Sequence, residues 1–228
     1  MTPALIFDLD GTLVDTAPDL LGALNAVLVD AGQPPVALAD MRHLVGFGAR
    51  ALIANALERT GAAGEPQQID AMKEAFLAYY RGHIAELTRP YPGVEETLAG
   101  LKADGARMGV LTNKPHDLTL LLMGKLGLDK YFAAVFGQGR MPYTKPDARI
   151  FRDVVEAVGG AGALMIGDSI TDVLTARAGG APVVLVSYGY TPEPARTLGA
   201  DAVVDRFSDV PEAARRLLAG REANRAQK

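Results

Sequence analysis

Short, unbroken apolar runs punctuate the chain, and each gives way to polar or turn residues. Ala4–Phe7 leads into Asp8, Met108–Leu111 into Thr112 and Asn113, and Ala134–Phe136 into Gly137. Leu164–Ile166 leads into Gly167 and Asp168, Val183–Val186 into Ser187, and Ala202–Val204 into Asp205. Runs of this length without alternation suit strands covered on both faces, as in a parallel sheet. Helical spacing of apolar positions separates most of them, over Val94–Ala103, Asp117–Lys125, Ala148–Val158 and Asp172–Ala178. Each of these helical stretches ends near glycine (Gly105, Gly127, Gly159, Gly179), a C-terminal stop signal. Strands alternating with helices predict right-handed crossovers and a doubly wound, Rossmann-like α/β core.

One stretch breaks the alternation. Between Pro18 and Pro90 the pattern is helical only, with helices expected over 19–31, 49–60 and 69–85. Pro18 stands where the first turn of a helix tolerates proline. Pro34-Pro35 and Pro90-Tyr91-Pro92 mark boundaries. The expected organisation is an α/β catalytic core of residues 1–17 and 91–228. An all-helical cap, 18–90, is inserted after the first strand, and a polar tail, 220–228, is expected to fray.

Composition narrows the functional classes. The formal net charge of −4 argues against general nucleic-acid binding, which calls for a basic surface. With no cysteine, disulfides, thiolate catalysis and Cys-ligated zinc are impossible. Met1–Phe7 runs straight into Asp8 and Asp10, unlike a secretory leader, and no apolar run reaches the ~18 residues of a membrane span. The expectation is a cytoplasmic protein without membrane or nucleic-acid partners. No coiled coil or sticky strand is visible, which leaves a monomer or homodimer.

In open α/β sheets, ligands bind beyond the carboxyl ends of the strands. The polar residues that follow the apolar runs are therefore the candidates: Asp8 and Asp10, Thr112 and Asn113, Asp168 and Asp172. Lys145 lies in the loop after the Phe136 run. Carboxylates gathered at one edge repel each other unless a cation joins them. A hard divalent ion with oxygen ligands meets that need, and Mg2+ suits few carboxylates together with phosphate and water. Taken singly each residue has a plainer reading. Asp-Gly is a common turn pair, Asp168 could cap a helix, and an isolated lysine is usually solvated. His43, His83 and His116 offer no ligand pair and receive no role.

Four pieces occur in order: Asp8-Leu9-Asp10-Gly11-Thr12, Leu111-Thr112-Asn113, Lys145-Pro146, and Gly167-Asp168-Ser169-Ile170-Thr171-Asp172. Together they resemble the motifs of the haloacid dehalogenase superfamily. The resemblance implies that Asp8 is a nucleophile forming an aspartyl-phosphate and that Asp10 is a general acid/base. It implies that Thr112, Asn113 and Lys145 bind the phosphoryl group. It implies that Asp8, Asp10 and Asp168 hold Mg2+, with Asp172 acting through water or holding Lys145. Asp15-Thr16-Ala17-Pro18-Asp19-Leu20, Leu111–Pro115 and Ser187–Tyr190 resemble the phosphoglycolate phosphatase branch, which carries a small helical cap. Gly46-Phe47-Gly48 resembles that branch's cap loop, with Phe47 where a polar residue is usual. Ala148 likewise stands where a second proline is usual.

The resemblance implies a phosphatase acting on a small phosphorylated substrate, most readily 2-phosphoglycolate. Alternatives are another small ester, such as a sugar phosphate or pyrophosphate, or a phosphosugar mutase of the same fold. Arg42, Gly46, Phe47, Gly48 and Arg50 are the cap candidates for specificity, an arginine being suited to a substrate carboxylate.

Overall fold

The structure is a computed structural model that describes residues 3–41, 48–62, 64–160 and 162–226, with side chains omitted at 40, 41 and 221–226. Strand β1 (Ala4–Phe7) is followed by β2 (Val14–Asp15) and helices α1 (Ala17–Asp30), α2 (Leu38–Met41), α3 (Ala49–Arg59) and α4 (Pro66–His83). Then come β3 (Arg89–Pro90), α5 (Val94–Ala103), β4 (Arg107–Pro115), α6 (His116–Leu126) and β5 (Ala134–Gln138). The chain finishes with α7 (Ala148–Ala157), β6 (Ala163–Gly167), α8 (Ile170–Ala178), β7 (Val183–Val186), β8 (Ala202–Val204) and α9 (Val210–Ala226).

Six strands form one parallel sheet in the order β5-β4-β1-β6-β7-β8. The unbroken apolar runs follow from burial on both faces. Leu5 and Phe7 pack into one core with Met108, Val110, Leu164 and Ile166. Ala4 and Ile6 pack into the other with Ile150, Phe151 and Val154 of α7 and Val173 of α8. Alternate side chains of a strand point to opposite faces, so both sets had to be apolar. The chain leaves β1 toward β4 and β5, then crosses to β6 on the other side. β1 therefore sits where the winding reverses, the place where open α/β sheets bind ligands.

Helix α4 packs against both α1 and α3, and their apolar faces (Leu24, Leu28, Ile53, Leu57, Met72, Phe76) join the first core. Two connections bring the two ends of this helical segment together. β2 and β3 pair antiparallel, Val14 opposite Pro90 and Asp15 opposite Arg89. The buried Asp19 carboxylate accepts from the N–H of Leu87 (2.9 Å) and from the N–H (2.8 Å) and hydroxyl (2.7 Å) of Thr88. No described helix is long and apolar enough to cross a membrane.

The observed elements match the expected alternation, with three shifts. The stretch expected to hold no strand contains β3, a two-residue strand that only its long-range partner makes possible. β4 continues four residues past the apolar run, to Pro115. α9 carries the helical backbone to Ala226, beyond the Gly220 at which the polar tail begins.

Candidate active site

Asp8 directly follows β1, and its N–H donates to the carbonyl of Ile166 at 2.8 Å, which extends the strand by one residue. The chain then turns sharply. Leu9 accepts from the N–H groups of Leu13 and Val14, and the N–H of Gly11 donates to Val14. Gly11 has φ +81°, and a Cβ there would lie 2.6 Å from Asp168 Oδ2 and 2.9 Å from Tyr190 Cδ2. No other residue type fits, because both the dihedral and the close approach exclude a side chain.

Asp168 follows β6 and is buried. Its Oδ1 accepts from the Thr12 hydroxyl (3.0 Å) and its Oδ2 from the N–H of Tyr190 (2.7 Å). Asp172, fully buried in the first turn of α8, is the most committed carboxylate of the group. Its Oδ2 accepts from the N–H groups of Asp168 (3.2 Å) and Ser169 (3.1 Å) and from the Ser169 hydroxyl (2.8 Å). Its Oδ1 accepts from Lys145 Nζ at 2.7 Å. The Ser169–Asp172 exchange is a capping box. With its lone pairs engaged, Asp172 orients Lys145 and has little capacity left for a direct metal bond.

Lys145 is buried between Asp172 and Asp8, with Nζ 2.9 Å from Asp8 Oδ1. Its main chain is gripped by Asn113, whose Oδ1 accepts the Lys145 N–H (3.1 Å) and whose Nδ2 donates to the Lys145 carbonyl (3.2 Å). The Asn113 side chain thus positions the main chain of Lys145. A bulge in β4 makes this reach possible. Leu111 pairs with Phe136 and Pro115 with Gln138, so three residues stand opposite Gly137 alone. A Cβ on Gly137 would lie 2.6 Å from His116 Cα, so the missing side chain is what admits the bulged return. Ala148 is the first residue of α7, capped by Asp147, whose carboxylate accepts from the Arg149 N–H (2.8 Å). That position tolerates proline or alanine alike, since its N–H has no intrahelical partner.

The electrostatics follow from burial. The Asp8 carboxyl is raised to about 7, by burial first and then by Asp172 and Asp10, with Lys145 pulling against them. Asp168 is raised well above the usual carboxylate range by burial first, then by Asp172 and Asp8. Burial disfavours the charged form of Lys145, but Asp172 and Asp8 outweigh it and hold its pKa above the ordinary lysine value. Among the described residues, Asp8, Asp168 and Asp172 each bring a carboxylate oxygen within 4.8 Å of the others. One lysine cannot neutralise three buried carboxylates. The oxygen-only donor set around Asp8 and Asp168 fits a hard divalent cation.

A cavity of about 70 Å³ opens over these residues. Asp8, Asp10, Thr112, Asn113, Lys145, Asp168 and Ser169 line its floor, and Leu20, Leu52, Phe76 and Leu77 line its apolar walls. Gly48 borders it, whereas Arg50 is absent from its lining. The Arg50 side chain is exposed and pairs with Asp70 of α4 at 2.8 Å. Arg42, Gly46 and Phe47 lie outside the described residues.

Three lining or supporting residues carried no role in the sequence reading. The Lys114 side chain is buried, with Nζ 3.1 Å from Asp10 Oδ1 and 2.8 Å from the Tyr80 hydroxyl. Tyr190 joins the Asp168 carboxylate, through its N–H, to Asp15 (2.7 Å) and to the N–H of Ala17 (2.9 Å), through its hydroxyl. Tyr80 comes from α4. Lys114 and Tyr190 lie in segments, Leu111–Pro115 and Ser187–Tyr190, whose resemblance to one branch was the available signal.

Comparison with known proteins agrees with this geometry. The chain is 48% identical over 199 residues to a phosphoglycolate phosphatase of Caulobacter vibrioides, covering 86% of this chain and 84% of that protein. It is 42% identical to one of Agrobacterium fabrum, covering 88% and 87%. A crystal structure described as a predicted phosphoglycolate phosphatase from Haemophilus somnus superposes with a TM-score of 0.86 at 30% identity, over 93% of this chain and 98% of that one. Residues 2–180 match the model of the haloacid dehalogenase-like hydrolases, and the chain belongs to that family.

Proposed function

We propose that the protein is a Mg2+-dependent phosphatase that hydrolyses 2-phosphoglycolate to glycolate and phosphate, with Asp8 as nucleophile. The observation that carries the reading is the pairing of Asp8 at the end of β1 with the buried ammonium of Lys145 at 2.9 Å, beside Asp168. The names of the relatives support the choice of ester.

A carboxylate oxygen of Asp8 attacks phosphorus and the bond to the ester oxygen breaks. Asp10, two residues on at the cavity floor, gives that oxygen its proton. The leaving alcohol is glycolate. Asp10 then takes a proton from water, the water oxygen attacks the phosphorus of the aspartyl-phosphate, and phosphate leaves with Asp8 restored. Lys145 neutralises charge on the transferring group, and Asp172 and Asn113 hold it in place. Thr112 and the main-chain N–H of Asn113 receive the phosphoryl oxygens. Positioning and charge neutralisation are most of what phosphoryl transfer requires. Asp8, Asp168 and the main chain at Asp10 would hold Mg2+, which supplies Lewis-acid stabilisation of the phosphoryl oxygens when bound. Residues 18–90 act as a cap whose apolar walls exclude water from the site.

The test is phosphate release from a panel of small esters, with Mg2+ and with EDTA, for wild type and Asp8→Asn. Release that stops with EDTA and with Asp8→Asn is the expected outcome. Metal-independent hydrolysis, or full activity in Asp8→Asn, rejects the mechanism. A sugar phosphate or pyrophosphate hydrolysed far better than 2-phosphoglycolate keeps the mechanism and rejects the substrate.

A further inference from the structure

We infer that Lys114, seconded by Tyr80, recognises a negative charge on the leaving group, so that the site selects small phosphate monoesters with a carboxylate close to the ester oxygen. This rests on the function proposed above and assigns its specificity to a residue outside the phosphoryl-transfer set.

Two cations line the cavity among the described residues, Lys145 and Lys114. Lys145 is engaged by Asp8 and Asp172. Lys114 stands on the other side of Asp10. Its Nζ shares one donor between the two Asp10 oxygens (3.1 and 3.4 Å) and gives a second to the Tyr80 hydroxyl (2.8 Å). An ammonium has three donors, so one remains. The Tyr80 hydroxyl accepts from Lys114 and keeps its own proton to donate. Burial raises the Tyr80 pKa to about 12, which keeps that proton in place. The surrounding walls, Leu20, Leu52, Phe76 and Leu77, offer a carboxylate nothing.

Burial and reach give the pair its purpose. Among the described residues, Asp10 is the only carboxylate paired with Lys114, whose side chain is 3% exposed, so a second anion beside this buried ammonium is favourable. Reach is satisfied as well. The ester oxygen and Lys114 Nζ each lie one hydrogen bond from the Asp10 carboxylate, so an acidic group one carbon along the leaving group meets the ammonium.

The experiment compares kcat/KM for 2-phosphoglycolate and for ethyl phosphate, which has the same chain length and no carboxylate on its leaving group. Wild type, Lys114→Met and Lys114→Gln are assayed with Mg2+. The preference for 2-phosphoglycolate is expected to fall about 10- to 100-fold in both variants, the range for a hydrogen bond to a charged group. Lys114→Gln keeps hydrogen bonding to Asp10 and Tyr80 and serves where Lys114→Met does not fold. Calorimetric binding of both esters in an Asp8→Asn background gives the same comparison without turnover. A ratio unchanged within twofold in turnover and binding, even if both rates drop, leaves Lys114 only a role in positioning Asp10 and overturns the inference. So does equal preference in wild type. Absence of Mg2+-dependent hydrolysis of either ester by wild type instead rejects the proposed function.

Discussion

Replacing Asp172 with Asn removes one charge from the centre of the site while keeping its shape. The wild-type carboxylate makes four hydrogen bonds: Oδ1 receives Lys145 at 2.7 Å, and Oδ2 receives two N–H groups and the Ser169 hydroxyl. An amide satisfies only one side. With its oxygen toward Ser169 its NH2 faces the Lys145 ammonium, donor against donor. Breaking a buried charged hydrogen bond costs about 1.5–3 kcal/mol. Asp8 still accompanies Lys145, so the ammonium is not orphaned, and losing a negative charge beside Asp8 and Asp168 relieves some repulsion. The net loss should be about 2 kcal/mol at pH 7.5 in EDTA. With m of about 2–3 kcal/mol/M in urea, the unfolding midpoint followed by circular dichroism should fall by about 1 M. Phosphate release should show kcat reduced about 10- to 100-fold, because Lys145 loses its anchor. Magnesium affinity by calorimetry should weaken less than about tenfold, below the usual effect of removing a partner of a metal ligand, whereas Asp168→Asn should abolish saturable binding. If Asp172→Asn loses Mg2+ as completely as Asp168→Asn, Asp172 is a direct ligand. If neither midpoint nor kcat moves, Lys145 does not depend on it.

Gly11→Ala should cost about 1–3 kcal/mol and lower kcat, since its methyl would press on Asp168 Oδ2 at 2.6 Å. Gly32→Ala has a similar dihedral, φ +71°, with nothing within 4 Å, so melting curves should show a smaller loss and kcat should stay at the wild-type level. Equal effects at both positions would refute the crowding argument. In the metal-free protein, Asp8 holds its proton more tightly folded, near 7, than in the unfolded chain, near 3.8. Its contribution to stability is therefore complete below about pH 3.8, shrinks as pH rises and is gone above 7. Asp8→Asn should remove that slope in urea titrations. Because Mg2+ must displace the same proton, its affinity for wild type should rise up to about pH 7 and then level off, and a flat profile would contradict the placement of Asp8 beside the metal.

The fold and the place of the candidate site were legible in the sequence because both leave local traces. Burial on two faces requires unbroken apolar runs, and glycine follows helices where the backbone must reverse. Asp8, Asp10, Asp168 and Lys145 stand at strand ends or in one following loop, so order along the chain already places them at one edge of the sheet. The hold of Asp172 on Lys145 was one of two expectations drawn from the resemblance, whereas what Asn113, Lys114 and Tyr190 touch was not legible. Lys114 meets Asp10, 104 positions away, and Tyr80, 34 positions away. Asn113 meets the main chain of Lys145 only because a bulge opposite Gly137 redirects β4. Hydrophobic periodicity and motif spacing are properties of neighbouring residues, and they determined the α/β architecture and the carboxylate edge. The division of labour among the polar residues arises from hydrogen bonds and ion pairs between distant segments. A single buried donor or acceptor can have many partners in sequence and only one in space, and the tertiary structure made that choice.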